Sequence, residues 1–305
     1  MSVLDLKPLR YFVAVAEEGH LTNAAARLGI SQPPLSQQIR ALEEQLGVTL
    51  FERLPRGMAL TDSGRALLDE ARAILARMEQ AMEGVRRVSQ GREGRLTVGF
   101  TGSAAFHPFV PSVIRAFRHE APAVELTLDE SSTGELLDGV REGRLDAAFV
   151  RGPYGKVADV AIERLLEEPM MVAFPAAHPA VRRARRRIAL RDLADEPVIL
   201  YRRHSGPGLY DAILAACHAA GFSPRVVQEA PRMLSTLGLV AAGMGVSVVP
   251  QSLLRINLDG VVYVPLAGQD GPRAPLSLAY RQGGQTSATR RLIAQARAAA
   301  RELAA

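Results

Sequence analysis

Near the start of the chain, Leu6, Leu9, Phe12, Val13 and Ala16 recur at the spacing of one helix face, and Gly19 supplies a left-handed stop. The Ala-rich run "NAAARL" predicts a second, short helix with Thr22 as its N-cap, broken at Gly29. Ser31 then stands as N-cap of "QPPLSQQIRALEEQLG". Under that cap Pro33 and Pro34 fall in the first turn, where backbone N–H groups have no intrahelical acceptor, so they start the helix instead of breaking it. Leu35, Ile39, Leu42 and Leu46 lie within about 40° of one line and form the expected buried face. Pro33, Ser36, Gln37 and Arg40 occupy the opposite half, and the acids Glu43 and Glu44 come only later.

The stretch "VTLFERLPRGMALTDSG" carries two short apolar runs around a Pro-Arg-Gly turn and reads as a β-hairpin wing. From Asp62 or Ser63, as N-cap, to about Gln90 the chain is continuously helical in pattern, with Leu68, Ala71, Leu75, Met78, Met82 and Val85 in 3,4,3,4,3 spacing. That seam fits a dimeric coiled coil, or a stripe packed on its own subunit. "GREGR", Gly91 to Arg95, closes this helix. Beyond it "RLTVGF", "VELTLDE" and "LDAAFV" alternate with helical segments in a β-α-β-α-β series, which implies a parallel sheet with right-handed crossovers. A second series runs through "PMMVAF", "PVILY", "RVVQEA" and "GVSVVP", followed by "VVYVPL", "LSLAYR" and a final helix from about Ser287. Two α/β lobes, the second inserted in the first, explain the late returning strands. The expected organisation is residues 1–62 as a winged helix-turn-helix, 63–92 as a linker and dimerisation helix, and 93–305 as a two-lobed domain. Its first lobe takes about 93–165 and 269–305, its second about 166–268.

Composition narrows the function. The 305 residues are 48% hydrophobic and 23% charged, with one cysteine and no run near the roughly 20 apolar residues of a membrane span. No export signal is visible at the N-terminus, so a cytoplasmic protein is expected, with no membrane partner. The net charge of +5 does not come from the first 62 residues, where six Lys/Arg meet seven Asp/Glu. DNA binding by that segment therefore depends on local placement. A polar, acid-free helix face after a small-residue helix and a tight turn fits the major groove, where Gln37 and Arg40 reach base edges and Ser36 bases or phosphates. Arg53 and Arg56 on the wing would reach phosphates or the minor groove. The run Arg182 to Arg187 reads as a solvated loop, and "GMGVS" leads from helix to strand, the wrong order for a dinucleotide turn. Cys217 sits on an apolar helix as a core residue, and the six histidines lack metal-ligand spacing, so no metal or cofactor is expected.

In α/β sheets ligands lie beyond the carboxyl ends of strands, near helix N-termini that favour anions. In the first lobe these turns are "TGSAA", with Gly102 and Ser103, and "ESSTGE", with Thr133. Ser103 and Thr133 either face an anionic ligand or cap their helices. Arg151, after "AAFV", either anchors the anion or bonds within its lobe, and the second role is favoured.

The segment "AAARLGISQPPLSQQIRALEEQLGVTLFER" followed by "LTDSG" resembles the winged helix-turn-helix of the LysR-type transcriptional regulators. The matching positions are Ala24 to Ala26, Leu28, Ser31 to Pro33, Ser36, Ile39, Leu42 to Glu44, Leu46, Gly47, Leu50, Phe51 and Arg53. The likeness extends more loosely over the rest of the chain, as a periplasmic-binding-protein-like effector domain. It implies DNA contacts from Gln32, Pro33, Ser36, Gln37 and Arg53, although many members carry Arg at the position of Gln37. "GFTGSAAF", "ESSTGELLDGVREGRLDAAFVR" and "GLVAAGMGVSVVP" are most similar to the branch that senses aromatic acids or their ring-cleavage products. For that branch the resemblance implies effector binding through Ser103 and Thr133, with Pro207, Gly208 and Leu209 on the far wall. Relatives have an aromatic residue where this chain has Leu209.

The resulting expectation is a ligand-responsive regulator that is not an enzyme. It binds a two-fold operator in double-stranded DNA as a homodimer or homotetramer, senses a small anionic effector, and has RNA polymerase as a further partner. A solute-binding protein, or an enzyme on the same lobes, is the alternative. The first would need an export signal, and the second a convergent acid, base or nucleophile.

Overall fold

The computed structural model describes residues 6–55, 57–152, 155–182, 186–203, 207–268 and 271–304. The chain divides into two compact units between Arg86 and Arg87.

In the first unit α1 (Leu6–Glu18), α2 (Leu21–Leu28) and α3 (Gln32–Leu46) precede a hairpin of β1 (Phe51–Leu54) and β2 (Gly57–Leu60), and α4 (Asp62–Ser89) follows. Leu9, Phe12 and Val15 of α1, Ala24 and Ala25 of α2, and Leu35, Ile39 and Leu42 of α3 form the core with Leu50 and Phe51. The small alanines let α2 lie close against its neighbours. Leu46, expected in that core, is 38% exposed, because it is the last residue of α3 and Gly47 turns the chain away at φ +70. Two caps also differ from expectation. Helix α2 begins directly after His20, since Gly19 at φ +63 reverses the chain within one residue, and Thr22 lies inside its first turn. The cap of α4 is Thr61, whose Oγ1 accepts from the Gly64 N–H at 3.0 Å, one residue before Asp62. The wing is docked by Gly57 at φ +111: a Cβ there would fall 2.6 Å from the Gly19 carbonyl oxygen, which accepts from the Met58 N–H at 2.8 Å.

The second unit continues with β3 (Glu93–Phe100), α5 (Gly102–Ala105), α6 (Phe109–Glu120), β4 (Ala123–Glu130), α7 (Thr133–Glu142) and β5 (Ala147–Arg151). Next come β6 (Val160–Pro175), α8 (Pro179–Arg182), β7 (Pro197–Tyr201), α9 (Pro207–Ala219), β8 (Arg225–Ala230) and α10 (Met233–Ala241). The chain ends in β9 (Ser247–Pro250), β10 (Val261–Pro265), β11 (Arg273–Arg281) and α11 (Ser287–Ala304).

Strand β3 pairs in parallel with both β4 and β5, as the first β-α-β-α-β series requires. Antiparallel β11 and the first part of β6 extend this sheet. Phe109, Val113 and Phe117 of α6 and Leu292 and Ala296 of α11 pack in one core with it, and Leu136 and Val140 of α7 in another. Asp146 clamps this lobe, accepting from the Thr97 N–H at 2.8 Å and the Thr289 hydroxyl at 3.1 Å. Strand β6 then runs on without a break to pair with β9 and β10, while β7 and β8 pair in parallel. Around them Phe174, Ile199, Ile213, Leu237 and Val248 form the core of a second lobe. The two lobes thus share β6 and β11, and the carboxyl ends of β3, β5 and β7 open toward one cavity.

Candidate nucleic-acid interface and ligand cavity

The two prolines at the front of α3 leave its first turns short, polar and outward-facing. Gln32, Pro33, Gln37 and Arg40 are exposed and Ser36 is half-buried. Ser31 stands at the N-cap in extended conformation, without a side-chain capping bond. Further along, Glu43 is turned inward: its Oε1 accepts from the Leu50 and Phe51 N–H groups at 2.8 and 3.2 Å, tying the wing to α3. That leaves the front half of the face free of acid. Arg53 is exposed on β1, and Arg56 lies outside the described residues. Arg27 is committed elsewhere, to Glu17 and Glu18 at 2.9 and 3.2 Å.

Helix α4 carries its apolar stripe in two parts. Ala71 is fully buried and Leu68 partly buried in the winged-helix core. These two therefore pack within their own chain. Leu75 and Met78 are half-buried, whereas Met82 and Val85 are 49% and 70% exposed. Ile74 and Val88, absent from the strict heptad count, are also exposed.

Between the lobes of the second unit lies a cavity of about 410 Å³. Gly102, Ser103, Thr133, Arg151 and Leu209 line it, together with Thr101, Phe106, Glu130, Tyr201 and Arg232. Ser103 is 8% exposed as the second residue of α5, and Thr133 is 1% exposed as the first residue of α7. Neither is a cap. Ser132 caps α7 in a reciprocal box with Glu135, and Thr101 holds the corresponding place before α5. The Thr101 hydroxyl is buried with no hydrogen-bond partner among the described residues. An unsatisfied buried hydroxyl costs free energy that a polar ligand atom would recover. The Ser131 hydroxyl and the Ser132 N–H donate to the Glu135 carboxylate, and hydrogen bonding by these two serines pulls its pKa down to about 2.

Arg151, the last residue of β5, is 2% exposed. It pairs with Glu168 of β6 and donates to the carbonyl oxygens of Ser103 and Ala274, both at 3.2 Å. Glu168 in turn accepts from the Ser252 N–H at 2.6 Å and hydroxyl at 2.9 Å. Arg151 therefore borders the cavity while pairing with Glu168 beneath Ser103. His107 lies near this pair, and its pKa is lowered, mainly by burial. Gly208, expected on the far wall, packs against Gly152. A Cβ on Gly152, at φ +107, would fall 2.6 Å from the Gly208 Cα, so these two backbones touch each other. Pro207 starts α9, and its side chain lies outside the described residues.

Thr101 and Glu130 lie in the two turns expected at the ligand, though not singled out there, whereas sequence reasoning missed Tyr201 and Arg232 as lining residues. Tyr201 ends β7, so applying the carboxyl-end rule to the second series would have found it. Cys217 is buried, and burial pushes its thiol up to about 11, which removes thiolate reactivity at neutral pH. Among the described residues no cluster of His, Cys, Asp or Glu could hold a metal ion, and no helix is long and apolar enough to cross a membrane. Of the basic run, Arg186 and Arg187 are exposed and 183–185 lie outside the described residues.

A winged helix-turn-helix joined to a two-lobed domain with an internal cavity defines a DNA-binding regulator. The comparisons agree. The profile described as the LysR substrate binding domain matches residues 89–301, and that of the bacterial regulatory helix-turn-helix protein, lysR family, matches residues 6–65. The uncharacterized HTH-type transcriptional regulator YnfL of Escherichia coli (strain K12) is 40% identical over 269 residues, 88% of this chain and 89% of that one. The HTH-type transcriptional regulator AlsR of Bacillus subtilis (strain 168) is 38% identical over 257 residues, 84% of each. The crystal structure of CbnR, a LysR family transcriptional regulator, superposes with a TM-score of 0.86 at 28% identity, covering 96% of this chain and 100% of that one. CbnR has also been solved complexed with its target DNA, a structure that matches with a TM-score of 0.81. The chain belongs to the LysR-type family of DNA-binding transcriptional regulators.

Proposed function

We propose that this regulator senses a small carboxylate, an aromatic acid or a ring-cleavage product among them, bound in the inter-lobe cavity. Occupancy then alters how a homodimer or homotetramer sits on a two-fold operator in the cytoplasm. The observation that carries the reading is the meeting of three buried hydroxyl residues, Thr101, Ser103 and Thr133, in one cavity with the N-terminus of α7. Backbone N–H groups and the helix dipole favour an anion there, and hydroxyls satisfy its oxygens. On the DNA side, Gln37 and Arg40 reach base edges, Gln32, Pro33 and Ser36 meet bases or phosphates, and Arg53 and Arg56 reach phosphates or the minor groove. The exposed part of the α4 stripe joins two copies.

A thermal-shift screen against benzoate, salicylate, muconate and aliphatic diacids tests the proposal, since a ligand that binds only the folded chain raises its melting temperature. At a concentration about a hundredfold above Kd the stabilisation is about 2.7 kcal/mol, a shift of several degrees. The expected result is a shift with at least one acid that is lost in Ser103→Ala and Thr133→Ala. No shift with any acid, or one untouched by either substitution, contradicts the reading.

A further inference from the structure

Two residues at the rim of the cavity join the lobes directly. Glu130 ends β4 in the first lobe, Arg232 immediately precedes α10 in the second, and the arginine Nη1 donates to the Glu130 Oε1 at 2.8 Å. The same Oε1 lies 2.9 Å from where a Cβ on Gly102 would stand. The carboxylate thus rests against the backbone that presents Thr101 and Ser103, with a guanidinium on its other side. Glu130, Gly102 and Arg232 all line the cavity. Both side chains keep contact with water, at 43% and 68% exposure, so the pair exchanges partners at little cost. Arg151, the other cation at the cavity, is buried against Glu168 and is not exchangeable in this way.

We infer that Glu130 is an internal stand-in for a ligand carboxylate. It holds Arg232 and occupies the space beside Gly102 in the unliganded chain, and an acidic ligand displaces it from both places. The inference rests on the reading of the cavity as a carboxylate site and adds how that site is guarded. Arg232 selects acids, and Glu130 sets the concentration at which they enter. A tethered carboxylate competes at high effective concentration, and its charge also repels an incoming anion. Removing that charge while keeping the shape therefore tightens binding, whereas removing the cation weakens it.

Calorimetric titration of the full chain with cis,cis-muconate and with benzoate, at fixed salt, tests this. For the acid that binds wild type, Glu130→Gln is expected to lower Kd about fivefold and Arg232→Gln to raise it about tenfold. The double variant is expected to gain less over Arg232→Gln than Glu130→Gln gains over wild type, because the competition for the cation is gone and only the direct repulsion is relieved. Melting curves of both exposed-site variants should overlay wild type. If an acid binds wild type but Glu130→Gln binds it equally or more weakly, the stand-in role is overturned and the carboxylate site survives. Binding of neither acid by wild type or by Glu130→Gln overturns both.

Discussion

Arg151 and Arg53 carry the same charge and do opposite jobs. Arg151 sits beside Glu168 with both side chains nearly dry, so each charge is tolerated only because the other is there, and removing one partner would leave a costly orphan. Its terminal nitrogens donate to four acceptors, the Ser103 carbonyl oxygen among them. Arg53 is exposed on the wing, where a guanidinium can meet a phosphate, and Gln37 is exposed on α3, where an amide can read a base edge. On a duplex selected from random sequence by the chain itself, Gln37→Ala should cost about 1–3 kcal/mol of binding while barely changing affinity for scrambled DNA. Arg53→Ala should weaken both duplexes alike and reduce the slope of log affinity against log salt by about one. Fluorescence anisotropy over a salt series separates the two. Equal losses on both duplexes for both variants would contradict this division of labour.

Among the elements, α4 shows what a spacing rule can and cannot decide. Its 3,4,3,4,3 apolar pattern was legible, but periodicity does not say which partner a stripe meets. The structure divides the stripe: Leu68 and Ala71 meet the winged-helix core, and Ile74, Met82, Val85 and Val88 remain exposed. Paired substitution of Met82 and Val85 by Asp should therefore abolish the dimer in light scattering and leave the melting temperature of the winged helix unchanged, because neither side chain is in its core. A dimer that survives would remove α4 from the interface. Helices α1 and α3 were readable because their buried positions repeat at three and four, whereas the start of α2 was not, since a single left-handed glycine overrode the capping preference of Thr22. Only the second half of β6 was legible. Its first half, "VAIERLLEEP", breaks strict alternation with charges, and its pairing with β11 shifts register between Leu276 and Ser277.

For the whole molecule, the winged helix-turn-helix and the α/β lobes followed from element order, but the cavity did not. Ser103 and Thr133 were found by a rule that needs only local order, strand then helix. Arg232 reaches Glu130 across 102 positions, and Glu168 reaches Ser252 across 84. Such pairs exist only once the second lobe has been inserted into the first and β6 and β11 have been shared between them. The same sharing couples the cavity to both lobes, so a ligand that prefers one arrangement of the lobes shifts their equilibrium by its differential affinity. The most direct test of the account is a nuclease footprint of the full chain on its selected duplex, with and without the carboxylate that raises the melting temperature most. The account predicts that saturating carboxylate changes the footprint's boundaries or its hypersensitive sites in wild type, and not in Thr133→Ala. An identical footprint with and without ligand in wild type would contradict it.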